Sequence, residues 1–290
     1  MRGVIMMQRL QIFFVSFITI LACILWFFNK TEHVRESITY FPIHPDISFV
    51  EAKTEIIPIA KGRIQLRSLS RMAIPVYLRQ DVTMLYASGK LISKMGKWEQ
   101  NGIQLENTEK LRINDNGKLQ AVSFHHAEIH EDSTFSSTHA ITTDQLYYLQ
   151  STVPEALSFK SPATEEQSGW KEVLDKKEAE TISSSIETIT ESFSIDRDHF
   201  VIFPLTELRQ YQDQPLYTFS ATETKQIIGQ LIEGIYKNYF LGIKKEDGSV
   251  ISPINSTIPI IFLAKNKEFL YVSFLTADGE PILLKQNISF

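Results

Sequence analysis

Hydrophobic patterning divides the chain into three regimes. Residues 10–28, LQIFFVSFITILACILWFF, carry no charge, and only Gln11, Ser16 and Thr19 are polar. As a helix these 19 residues would span roughly 28 Å and be apolar on every side, which suits a hydrocarbon core about 30 Å thick. The second regime alternates. Residues 76–86, 90–98, 103–113, 118–130 and 145–151 read as antiparallel strands, with Ser88-Gly89 and Asn116-Gly117 as turns, the latter a favoured two-residue hairpin loop. In the third, Ala179, Ile182, Ile186, Ile189 and Phe193 recur at helical spacing within 170–193. A second helix is expected at 221–241, opened by Ser220 with Glu223 in a capping box and closed by Gly242. Its apolar face includes Ile227, Ile228, Leu231, Ile232 and Ile235, enough to lie on a sheet. Residues 249–251, 258–264, 269–275 and 281–285 supply the strands, punctuated by Asp247-Gly248 and Asp278-Gly279.

The expected fold class is therefore α+β: an N-terminal transmembrane helix, a mainly antiparallel β domain, and a C-terminal domain with a helix packed on an antiparallel sheet. The boundaries read as a short cytoplasmic tail 1–9, an anchor 10–28, a stalk 29–55, a β-rich domain 56–152, a linker 153–169 rich in Pro, Ser, Thr and Glu, and an α+β domain 170–290. The seam from Ala179 to Phe193 would also suit a dimeric coiled coil, but it is short of three or four heptads, so a helix packed on its own domain is favoured. Arg2 and Arg9 precede the anchor, and Lys30 and Arg35 follow it, a weak orientation signal read as tail inside and body outside. Ala22-Cys23 approximates a lipoprotein box, but the apolar run continues past the supposed cut through residues 24–28. An uncleaved signal-anchor is the reading that fits.

Charge then narrows the partners. The chain carries −5, and its first thirty residues hold Arg2, Arg9 and Lys30 with no acid, leaving the body at −8. An acidic body lacks the basic footprint of general nucleic-acid binding, so no nucleic acid is expected. Cys23, the single cysteine, lies in the anchor, which excludes a disulfide scaffold. Lys61, Arg63, Arg67, Arg71 and Arg79 form a basic stretch without acids, read as a solvated strand face neutralised by acids elsewhere, with anionic lipid or an anionic wall polymer as the alternative contact.

One group of residues has metal-ligand chemistry: His125, His126, Glu128, His130, Glu131, Asp132 and His139. On a strand His126, Glu128 and His130 share a face, and two imidazoles with a carboxylate can begin a zinc or manganese site, with His139 returning from a loop at 131–138. The competing reading is a polar strand end. No phosphate loop, HExxH, CxxC pair or Gly-x-Ser-x-Gly elbow is present, and no cofactor is implied. Ser168 and Lys171 fit Ser-x-x-Lys without its companion motif, and Asp196 with Asp198 sits in a polar connector. Two functions follow. The first is a non-enzymatic interaction or regulatory module of the bacterial cell envelope, held in the bilayer by residues 10–28 and bound to another envelope or membrane protein. The alternative is an envelope metal-binding protein or hydrolase built on His126, Glu128 and His130.

Overall fold

The computed structural model describes residues 41–60, 62–131, 134–150, 157–245 and 248–289; the expected tail, the anchor at 10–28 and stalk residues 29–40 lie outside them. No helix among the described residues is long and apolar enough to cross a membrane. The described residues belong to one compact unit of mainly antiparallel sheets with a few helices, an α+β architecture.

The first sheet contains β1 (Phe49–Ala60), β2 (Arg63–Ala87), β3 (Lys90–Arg112), β4 (Gly117–Glu131), β5 (Thr134–Leu149) and β6 (Leu157–Phe159). Along one edge β2 pairs first with β1, through residues 63–72, and then with β4, through residues 78–87; along the other it pairs with β3 for nearly its whole length. The β2–β3 hairpin closes at Ser88 and Gly89, whose φ values of 46° and 88° suit the right-handed twist of the flanking strands. It then bends sharply in its middle. The β2 register shifts between Arg71 and Val76, and opposite it Asn101 adopts φ 55° beside Gly102.

The bend folds β3 back on itself. Lys97 Nζ donates to the Glu106 carbonyl at 3.0 Å, and Ser93 Oγ donates to Glu109 Oε2 at 2.6 Å. In a straight strand residues 97 and 106 would lie roughly 30 Å apart at about 3.3 Å per residue. The expected strands 90–98 and 103–113 are thus the two arms of a single bent strand. For the same reason Asn116-Gly117 is not a hairpin loop between paired strands: β4 pairs with β2 and β5, not with β3, whose end the bend has carried into another layer.

The stalk was expected to extend to residue 55, yet β1 begins at Phe49. Its inward positions Thr54 and Ile56 are buried while Glu51, Lys53 and Glu55 carry charge, so its alternation is masked by a hydroxyl on the inner face. Across β1, β2, β4 and β5, a core of Ile56, Ile64, Leu66, Leu85, Leu119 and Leu146 fills the fold-back.

The chain continues through α1 (Glu165–Ser192), β7 (Phe200–Pro204), a 3-10 segment (Leu205–Gln212), α2 (Ala221–Ile235), a π turn (Tyr236–Phe240), the small β8–β9 pair (Ile243–Lys244 and Val250–Ile251), β10 (Ile260–Ala264), β11 (Phe269–Leu275) and β12 (Pro281–Asn287). The second sheet has the order β12-β11-β10-β7, all antiparallel. β7 lies in the stretch after Asp198 that its polar neighbours disguised.

The helix starts are set by caps. Thr164 Oγ1 accepts from Gln167 N at 3.2 Å while Gln167 Oε1 accepts from Ala163 N at 2.7 Å, which starts α1 five residues before the expected 170 and inside the expected linker. The Ser220–Glu223 capping box forms as expected, and Gly242, at φ 144°, follows the π turn.

Alternation along β10 sorts the layers. Ile260 and Phe262 pack with Ile189, Ile182 and Ile186 of α1, whereas Ile261 and Leu263 face α2. The same core that holds α2 residues Ile227, Ile228, Leu231, Ile232 and Ile235 also takes in Val82, Met84, Val122, Phe124 and Ile141 of the first sheet. The two expected domains share this core. α1 is fastened to the first sheet as well, because Lys118 of β4 lies 2.8 Å from Glu178 and 3.1 Å from Asp175, and Tyr147 donates to Asp175 at 2.9 Å.

Candidate functional site

The arms of β2 and β4 beyond the bend are covered on both faces, and each face has its own polar chemistry. The even-numbered side chains of β4, Phe124, His126, Glu128 and His130, point toward the α2 side, as strand periodicity requires. Glu128 sits between the two imidazoles, with His126 Nε2 3.7 Å from Oε1 and His130 Nε2 3.4 Å from Oε2. The nearness of His126 first, and then of His130, holds the Glu128 carboxyl below its usual range against desolvation.

His126 and Glu128 line a cleft under α2, whereas His130 is not part of its lining. His130 is turned onto Tyr77, with ring centroids at 3.7 Å in a stacked pair, and Phe135 packs edge-on at 4.7 Å. Among the described residues no three His, Cys, Asp or Glu side chains are grouped to hold a metal ion.

His139 does come back to this face. It is paired in register with His126, and both line a small cleft under α2 with Gln80, Glu128, Gly229 and Glu233. The segment expected as a loop from 131 to 138 is mostly strand, which is what brings His139 opposite His126. Its Nδ1 is enclosed without a partner, and burial first, then the charges of His126 and Lys225, pull its pKa down to about 4. Glu233 is engaged by Lys237 at 3.1 Å, so the cleft offers no unpaired carboxylate from the helix.

The odd-numbered face carries a constellation that the sequence did not announce. Arg79 and Asp81 of β2 and His125 of β4 are essentially without exposure. Arg79 donates to the Ile103 carbonyl at 2.8 Å and to Ser70 Oγ, which donates to Asp81 Oδ2 at 2.6 Å. His125 Nδ1 lies 3.0 Å from the same Asp81 oxygen, and its Nε2 is 2.8 Å from Thr142 Oγ1. From there the chain runs to Thr54, Ser123 and Thr83 through contacts of 2.5, 2.6 and 2.7 Å.

Carboxylate, imidazole and hydroxyl in this order have the makings of a nucleophile relay. Here, however, Thr142 Oγ1 is already engaged by Thr54, and Asp81 and His125 are enclosed between layers. Its physical effect is to clasp the fold-back: Ser70 lies before the bend, Arg79 and Asp81 after it, and β1 is joined through Thr54. Strict alternation of Arg79, Asp81 and Thr83 was the available signal, but polar residues at period two ordinarily mean an outward face.

The remaining sequence candidates are local structure. Ser168 Oγ donates to the Thr164 carbonyl and Lys171 is held by Asp175, so the pair does not form an activated serine. Asp196 caps a short 3-10 turn, Arg197–His199, through Asp198 N and lies 3.2 Å from His199, both side chains well exposed. Of the basic stretch, Arg67 is paired with Glu55 and Glu106 and Arg71 with Glu51, acids from neighbouring strands, whereas Arg79 is buried and not on a solvated face.

A surface feature differs from all of these. Beyond Leu91, which meets Ser256 and Asn255, β3 has β2 as its single ladder partner among the described residues. Residues 96–101 are exposed on both faces, and Trp98 is 64% exposed. Compared with protein-family models, curated proteins and solved structures, the chain gives no match.

Proposed function

We propose that the protein is a non-enzymatic interaction module of a bacterial cell envelope, anchored through residues 10–28 with its body outside the membrane, and that it binds a partner membrane or envelope protein by strand addition along β3. The observation that carries this reading is the long edge strand with Trp98 and Ile103 exposed on it. Free strand edges are normally blunted or covered, and one presenting a tryptophan is the surface on which an extended partner segment gains both main-chain hydrogen bonds and a side-chain anchor.

The test combines topology with contact. A C-terminally tagged full chain is fractionated and the intact cells or protoplasts are treated with protease, while a photo-cross-linking residue replaces Gln100 beside the exposed tryptophan. The tag is expected in the membrane fraction and digested from outside, with a discrete cross-linked product that Trp98→Lys reduces at least several-fold. A tag in the soluble fraction or protected from protease overturns the anchored, outward-facing body. A chain that is anchored but shows no cross-link at position 100 overturns β3 as the binding edge.

A further inference from the structure

The bend end of the first sheet gathers apolar side chains that nothing in the body covers. Val50 at the start of β1, Ile74 in the bend, Tyr77 just past it and Phe135 at the start of β5 are 45–58% exposed. Tyr77 and Phe135 are joined through His130, and Phe41, near which the described chain begins, completes the aromatic group at 5.8 Å from Phe135 and 6.1 Å from His130. The entering chain is stitched in place here, since Ser137 N donates to the Pro42 carbonyl, His44 N donates to the Ser137 carbonyl and Ser137 Oγ donates to the Phe41 carbonyl, all at 2.8 Å. The body is therefore held at its apolar end by the segment that leads back to residues 10–28.

From these observations we infer that Val50, Ile74, Tyr77 and Phe135 rest on the bilayer interface beside the chain's own anchor, so that the bend end faces the membrane. The inference rests on the anchor reading above. Three considerations select lipid as the occupant. Twelve residues, 29–40, separate the apolar run from Phe41, and at about 3.3–3.6 Å each they reach at most roughly 40 Å, which keeps this end near the headgroups. Tyrosine and phenylalanine with an imidazole among them have the amphipathic character of an interfacial belt.

Size also separates lipid from a second copy. Four half-exposed side chains offer on the order of 400 Å², against about 800 Å² per partner in a stable interface. A tethered surface needs far less, because the anchor supplies the effective concentration. The neighbouring Arg71 is paired with Glu51, so the contact is expected to be indifferent to anionic lipid.

The single cysteine makes the test direct. In full-length Cys23→Ser protein, one cysteine is introduced at a time as Ile20→Cys, Ile74→Cys, Phe135→Cys or Asp278→Cys, labelled with an environment-sensitive fluorophore and reconstituted in vesicles containing spin-labelled phosphatidylcholine. Asp278 lies in the β11–β12 turn near the Ser88-Gly89 end of the long hairpin, remote from the bend. Labels at 20, 74 and 135 are expected to be quenched and the label at 278 not, with the 74 signal unchanged by phosphatidylglycerol and its quenching lowered at least threefold by Tyr77→Asp. Quenching at 20 without quenching at 74 and 135 overturns the membrane contact and leaves the anchor intact. No quenching at 20, 74 or 135 overturns both. A blue-shifted but unquenched label at 74 means that protein covers the patch and also overturns the inference.

Discussion

The buried charges of this protein are more consequential than its histidine cluster, and they make opposite demands on their partners. Lys118 and Glu178 are both largely enclosed; burial opposes the lysine's charge, but Glu178 and Asp175 outweigh it and raise its pKa. Lys118→Met leaves Glu178 buried without its cation and is expected to cost about 3 kcal/mol in urea unfolding, with the slope of the transition unchanged. His139 behaves in the reverse sense. Its folded pKa of about 4 lies below the ordinary 6.5, so between those values the unfolded chain binds the proton and the folded one does not. Stability from this residue is present above pH 6.5 and falls as the pH drops toward 4. Between pH 7 and pH 4.5 the loss from His139 is expected to be about 2 kcal/mol, and His139→Gln should flatten that part of the profile relative to the parent chain. The shared face of His126, Glu128 and His130 could be found by strand periodicity, but that His130 packs on Tyr77 and Phe135 and not in the cleft depends on residues of other strands.

Among the elements, the bent β2–β3 hairpin decides the architecture. The bend depends on a left-handed residue: Asn101 at φ 55°, a conformation that asparagine tolerates and β-branched residues resist. Asn101→Val is expected to destabilise by about 1–2 kcal/mol, while Asn101→Gly stays within about 0.5 kcal/mol of the parent in the same unfolding measurement. Equal losses from both variants would show that the Asn side chain, not its backbone conformation, supports the bend. The sequence marked residues 99–102 as a break because charge, Asn and Gly accumulate there. It did not distinguish a turn that ends a strand from a bend that the strand survives, since that depends on whether β2 continues alongside. The helix starts are local: Ser220 with Glu223 opens α2 where expected, and Thr164 with Gln167 opens α1 inside a stretch whose Pro, Ser, Thr and Glu composition otherwise marks a linker.

Across the whole molecule, the first sheet and the α2 layer complete one another. Ile228 and Leu231 share a core with Val82, Phe124 and Ile141 from the other half of the chain. A fragment of residues 160–290 is therefore expected to expose this face, bind a hydrophobic dye and lack a cooperative thermal transition. A fragment that unfolds cooperatively without dye binding would show that the second half closes its own core.

The sequence by itself determined the local periods, and with them the α+β class, most strands of both sheets, both helices and the shared face of His126, Glu128 and His130. These depend on neighbours within a few residues, where sterics and alternation act directly. The tertiary structure alone decided that β3 bends, that β1 is a strand, that Arg79, Asp81 and His125 meet in the interior, and that the two halves share a core. Each of those outcomes is set by contacts between residues far apart in the chain, and no local pattern specifies which distant surface a buried face will meet.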